Sequence, residues 1–119
     1  MIRSKRSLRK GNTTPLAQVG RGIENHPSWR GELSLMEAAA LLEGSSPFTY
    51  ILTQGMDKHH YFLTYVDANH KVKHRNVRSA LKNGVVMYWN GGGNGGGYET
   101  IDNLVPGCLN CSASICSPL

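Results

Sequence analysis

Residues 33–105 constrain this chain more than any other feature, because helix, strand and turn signals follow one another there in a fixed order. LSLMEAAALLEG at 33–44 predicts a helix. FTYILTQG at 48–55, HHYFLTYVDANHKVKHRNV at 59–77 and GVVMYWN at 84–90 predict strands; GGGNGGG follows, then YETIDNLV. Ser34 with Glu37 three residues later is a capping-box pattern. Behind it Leu35, Ala38, Ala39, Leu41 and Leu42 offer an apolar face that Gly44 ends. Asp67, Ala68, Asn69 and His70 predict a hairpin turn. The strand returning from Lys71 to Val77 alternates, with Val72, His74 and Asn76 on one side and Lys73, Arg75 and Val77 on the other. Thr100 to Val105 predicts a short helix stopped by Pro106 and Gly107. Trp29 is expected to pack over the sheet or helix edge. This order points to a binding module rather than an enzyme.

Size allows one domain with a modest core, since the chain has 119 residues. The formal charge of +5 suggests nucleic acid only until the charges are located. Residues 1–26 hold Arg3, Lys5, Arg6, Arg9, Lys10 and Arg21 against Glu24, whereas 27–119 hold seven basic and seven acidic groups. The excess therefore belongs to a tail, expected to be disordered, and the folded core is not expected to bind nucleic acid. The organisation read from this is a basic tail at 1–26, a domain at 27–107 and a Cys-containing extension at 108–119. No apolar run is long enough for a transmembrane span, and no apolar stretch follows the N-terminal charges as an ordinary secretory signal requires. The chain is accordingly expected to be soluble, with export by a machine that reads other signals left open.

Five fragments in order resemble an SH2 domain. WRGELSLMEAAALL (29–42) looks like the opening of that family, TYILTQG (49–55) occupies the place of its FLVRxS strand, and YFLTYV (61–66) resembles the second central strand. VKH (72–74) resembles the third strand with its characteristic histidine, and YETIDNLV (98–105) resembles the second helix. The segment at 88–99 looks more like the divergent SH2-like domains of secreted Legionella-type bacterial effectors. The resemblance implies an α+β fold, a central antiparallel sheet flanked by two helices. It also implies phosphotyrosine binding on one side of the sheet, with a host signalling protein as partner in the host cytoplasm.

The chain departs from that family at the phosphate. The position of the pocket arginine holds Thr53, the serine two residues on is Gly55, the arginine opening the first helix is Leu35, and the basic position two after the strand histidine is Asn76. A phosphotyrosine phosphate carries nearly two negative charges, and a two-pronged arginine suits it best. Losing such an arginine is expected to cost roughly 2–5 kcal/mol, about 30-fold to several thousand-fold in affinity. Replacement donors are sought in Lys58, in the backbone N–H groups of 54–57 (Gln54 and Gly55 among them) as a phosphate nest, in His60 and His74, and in Arg75 or Lys73 from the third strand. The same lysines and Arg75 otherwise coat a solvated surface, and His74 otherwise is a buried structural histidine.

The loop at 91–97 lacks the Lys-Ser/Thr ending of a nucleotide-phosphate loop. It reads either as a flap beside a peptide groove, involving Tyr88, Trp89, Gly93 and Tyr98, or as a connection whose aromatics complete the core. Cys108, Cys111 and Cys116 are an odd, clustered set, read as ordinary thiols of a reducing compartment. CxxC spacing supplies half a zinc site, but no His follows Cys116, and neither a metal nor another cofactor is assigned. A Cys108 pairing with His59 or His60 is the one conceivable nucleophile, with no local support. The alternatives to phosphotyrosine are an SH2-like scaffold for an unphosphorylated partner, and RNA or an acidic surface bound through the tail.

Overall fold

A computed structural model describes residues 22–91, 97–112 and 114–119. Its elements are α1 (Leu35–Leu42), β1 (Thr49–Gln54), β2 (His60–Val66), β3 (Val72–Lys82), β4 (Val85–Asn90), α2 (Ile101–Leu109) and β5 (Ser117–Pro118). The strands form one sheet in the order β4-β3-β2-β1-β5, antiparallel throughout except that β5 runs parallel to β1. The expected α+β arrangement, a sheet with a helix on each face, is the arrangement observed.

Local chemistry accounts for most boundaries. Ser34 Oγ accepts the Glu37 N–H at 3.0 Å and Glu37 Oε1 accepts the Ser34 N–H at 2.8 Å, so the capping box starts α1 as the sequence predicts. Its buried stripe is narrower than expected: Ala38 and Leu42 are buried, while Leu35 and Leu41 are exposed. In the β2–β3 turn Asp67 Oδ1 accepts the N–H groups of Asn69 and Lys71, and His70 takes a positive φ of 64°.

Three boundaries need correction. Strand β3 runs on to Lys82 rather than ending at Val77, because Asn83 and Gly84 both take positive φ (54° and 81°) and close a tight β3–β4 hairpin. Helix α2 passes through Pro106 and Gly107 instead of stopping there. A Cβ at Gly107 would lie 2.4 Å from the Tyr98 hydroxyl, so a larger residue there would displace the exposed Tyr98 ring, and continuing the helix buries Cys108 and Leu109. Burial of those two side chains offsets the hydrogen bond that Pro106 removes. The folded body is also wider than 27–107: Ile23 is fully buried in the core, and β5 joins the sheet.

Alternation along the strands divides the core in two. Tyr50, Leu52, Tyr61, Leu63 and Val77 pack with Ile101, Leu104 and Val105 of α2 on one face. Ile51 and Val66 pack with Ala38 and Leu42 of α1 on the other, against partly buried Val72. The expected split of β3, Val72 to one side and Val77 to the other, is thus realised. Trp29 pairs in parallel with Leu52 and meets the Tyr61 ring edge-on at 5.9 Å, which fits the edge-packing expectation. Among the described residues no helix is long and apolar enough to cross a membrane.

Candidate functional site

The loop between β1 and β2 carries most of the candidate residues, and it is tightly self-bonded. Gly55 N–H donates to the His60 carbonyl at 2.9 Å, and a Cβ at Gly55 would stand 2.4 Å from that same oxygen. A side chain here requires the backbone to move. Gln54 Nε2 donates to the carbonyls of Asp57 (2.6 Å) and His60 (3.3 Å), and the Tyr61 hydroxyl donates to the Lys58 carbonyl at 2.7 Å. Asp57 Oδ1 accepts the His59 N–H at 2.9 Å and lies 2.7 Å from His60 Nδ1. These bonds, the one to His60 first, hold the Asp57 carboxyl below the usual carboxylate range.

The loop therefore already contains an anion, and it engages donors that a phosphate would need. Of the nest amides, Gln54 N–H goes to the Gly31 carbonyl and Gly55 N–H to His60, which removes half of the expected nest at 54–57. A cavity of about 660 Å³ lies between this loop and the start of α1, lined by Glu32, Leu33, Ser34 and residues 54–58. Lys58 lines it, is exposed, and forms no ion pair among the described residues.

Below the loop, Thr53 is completely buried, and its hydroxyl has no hydrogen-bond partner among the described residues. It lies directly opposite Phe62, which lies opposite Asn76. His74 is exposed rather than buried, and its Nδ1 is 2.8 Å from the Thr64 hydroxyl. Partial desolvation lowers the His74 pKa below the ordinary 6.5. Well above pH 6.5 the ring is neutral in both folded and unfolded chains. As the pH falls below 6.5 toward the lower folded value, protonation favours the unfolded chain, so stability is lost in that window. The ring C–H resonances of His74 are expected to titrate with a midpoint below 6.5; a higher midpoint in the free protein would contradict the desolvation. A phosphate contacting this ring would raise the midpoint.

The structure gathers Gln54, Gly55, Lys58 and His60 on one loop, encloses Thr53 beneath, and sets His74 on the α1 face of the sheet. Lys73 and Arg75 are not part of that group. They project to the α2 face, where Arg75 lines a cleft with Cys108 and Leu109, so neither swings toward Thr53 in this arrangement. Asp57 escaped the sequence reading as a site residue; its spacing before His59 and His60, which lets one carboxylate cap the loop, is the signal that could have found it.

The aromatic candidates are largely committed to structure. Tyr88 is buried in the α2-side core and exchanges backbone hydrogen bonds with Tyr98 at 2.7 and 2.8 Å. Trp89 is nearly buried, with the Arg78 guanidinium 4.5 Å from its ring centre and Gly97 close against it. Tyr98 itself is exposed. Gly93 lies outside the described residues.

The cysteines correct the thiol expectation. Cys111 is disulfide-bonded to Cys116, so the CxxC motif is not a pair, and Cys108 remains free and buried. Burial raises the Cys108 thiol pKa while the Arg75 charge pulls more weakly the other way, a poor setting for a nucleophile. Among the described residues no three His, Cys, Asp or Glu side chains gather as a metal site would require.

No family model matches the sequence, and no curated protein matches it. Among solved structures, the chain is similar in fold to the SH2 domain of human proto-oncogene protein VAV1. The TM-score is 0.54 at 16% identity, over 92% of this chain and 80% of that one.

Proposed function

We infer that this chain is a non-catalytic peptide-recognition module that takes phosphotyrosine-containing segments of signalling proteins through an atypical pocket. What supports the reading is the SH2-like sheet together with the cavity between α1 and the β1–β2 loop, with the Lys58 ammonium, which has no ion pair among the described residues, in its wall. Lys58, His60 and His74 are the donors assigned to phosphate. A lysine is a point charge rather than a fork, so the expected affinity is lower than an arginine pocket gives. The resemblance to divergent effector domains makes host signalling proteins the partners of this reading, and the host cytoplasm its place of action.

A second reading, an unphosphorylated protein segment as ligand, is favoured by two observations. Thr53 is fully enclosed, and Glu32 and Asp57 set two carboxylates against one lysine around the cavity. Fluorescence-polarisation binding decides between them, using a degenerate phosphotyrosine peptide pool and its unphosphorylated twin at about 50 and about 200 mM salt. The first reading expects preference for the phosphorylated pool and roughly tenfold weaker binding by Lys58→Ala. Equal affinity for both pools supports the second. Binding that collapses with salt and with removal of residues 1–21 instead assigns recognition to the basic tail.

A further inference from the structure

Two short segments cover the outer edge of β1, one after the other. The Leu52 and Gln54 N–H groups donate to the carbonyls of Ser28 and Gly31, and the Leu52 carbonyl accepts from the Arg30 N–H. Beside Tyr50 the cover is β5: the Ser117 N–H donates to the Phe48 carbonyl and the Leu119 N–H to the Tyr50 carbonyl, both at 3.0 Å. Arg30 bridges the two covers, its Nη2 donating to the Leu119 carbonyl. Pro118, between those two donors, has no N–H to offer on the outward side, so β5 is a poor template for a further strand.

The two covers are anchored differently. The first includes fully buried Ser28 and Trp29, which packs on the larger core cluster. Ser117, Pro118 and Leu119 are all exposed, so β5 puts no side chain into the core. The Cys111–Cys116 disulfide ties it to the body instead, joining the residue before β5 to the residue just past the C-cap of α2. Both cysteines pack against the core cluster yet remain partly open to solvent, whereas Cys108, a helical turn earlier, is buried and free. A short exposed strand opens at little cost once its tether is gone, because effective concentration on the edge is then lost. Helix α2 keeps Leu104, Val105 and Leu109 in the core without it.

We propose that the Cys111–Cys116 disulfide is a redox latch: oxidised, it holds β5 on the edge of β1; reduced, it releases β5 and opens the backbone edge at Phe48 and Tyr50. The reductant is a dithiol. One of its thiolates attacks a sulfur of the disulfide, and its second thiol resolves the mixed disulfide. The dithiol leaves as a disulfide, and Cys111 and Cys116 each gain one electron and one proton. Burial keeps Cys108 out of the exchange. The latch involves no ligand and stands independently of the phosphotyrosine reading.

The test follows amide hydrogen exchange of the full ¹⁵N-labelled chain before and after equilibration with excess unlabelled reduced thioredoxin. The expected result is loss of the disulfide and roughly tenfold or more faster exchange at Ser117 and Leu119, with Leu52, Leu63 and Leu104 unchanged within about twofold. The double variant Cys111→Ser with Cys116→Ser is expected to show the same pattern without reductant. A disulfide left intact by thioredoxin, or unchanged protection of Ser117 and Leu119 once it is reduced, would overturn the proposal. Equal acceleration at Leu63 and Leu104 would overturn it too, since the bond would then brace the whole domain. So would peptide mapping that finds Cys108 in the linkage.

Discussion

Thr53→Arg, which places here the arginine that the SH2 resemblance implies, is expected to cost the free protein about 3–5 kcal/mol of folding stability. The position has no exposure, and the residue directly opposite on β2 is Phe62. A guanidinium placed there brings five donors and a charge into a space that one small hydroxyl now fills, with no partner among the described residues. Thr53→Val is the matched control: it removes the unpartnered hydroxyl at nearly constant volume and is expected to stabilise by about 1 kcal/mol. Urea denaturation of the two variants beside the parent measures both effects through midpoints at constant slope. An arginine variant as stable as the parent, and one that binds phosphopeptide tightly, would mean that the space over Thr53 opens readily. The expected loss says instead that the chain around position 53 has closed over a smaller residue.

Leu63→Ala is expected to lower stability by about 2–5 kcal/mol. Leu63 is fully buried on β2, between Leu52 of β1 and Arg75 of β3, and belongs to the cluster that receives Leu104 and Val105 of α2. Removing its isobutyl group leaves a cavity under a sheet whose neighbours on both sides are hydrogen-bonded in place, so relaxation can fill little of it. A domain of this size is stable by only about 5–15 kcal/mol, and the variant is expected to be partly unfolded on modest heating. Calorimetry or urea titration reads this directly. A loss under about 1 kcal/mol would mean that Leu63 is not central to the packing and that α2 docks by other contacts.

Period and capping made most of the fold readable beforehand. Strand period puts Tyr50, Leu52, Tyr61, Leu63 and Val77 on one sheet face and Ile51, Val66 and Val72 on the other, and the sequence shows the split on β3 alone. The same alternation separates Arg75 from His74 on β3, so the two side chains serve opposite faces of the sheet. Ser34 with Glu37 fixed the start of α1 because its bonds close within one turn. Pro106 and Gly107 misled for the converse reason. They are local stop signals, and burial of Cys108 and Leu109 against the distant sheet outweighs them. The continuation of β3 was signalled by Asn83-Gly84, a hairpin pair whose positive φ values suit the strand twist.

What lay beyond the sequence depends on segments that meet only after folding. Closure over Thr53, the disulfide between Cys111 and Cys116, and the pairing of β5 with β1 all join parts of the chain through tertiary contact. The charge balance of the candidate pocket is of the same kind. The resemblance implies an arginine where Thr53 stands, but only the loop's geometry turned Asp57 inward on His59 and His60 and left Lys58 and Arg75 without an ion pair among the described residues. Short-range patterns determine which face a side chain takes, because strand and helix periods are local. Enclosure and electrostatic neighbours are long-range properties, settled by which side chains compete for the same space once both helices have docked.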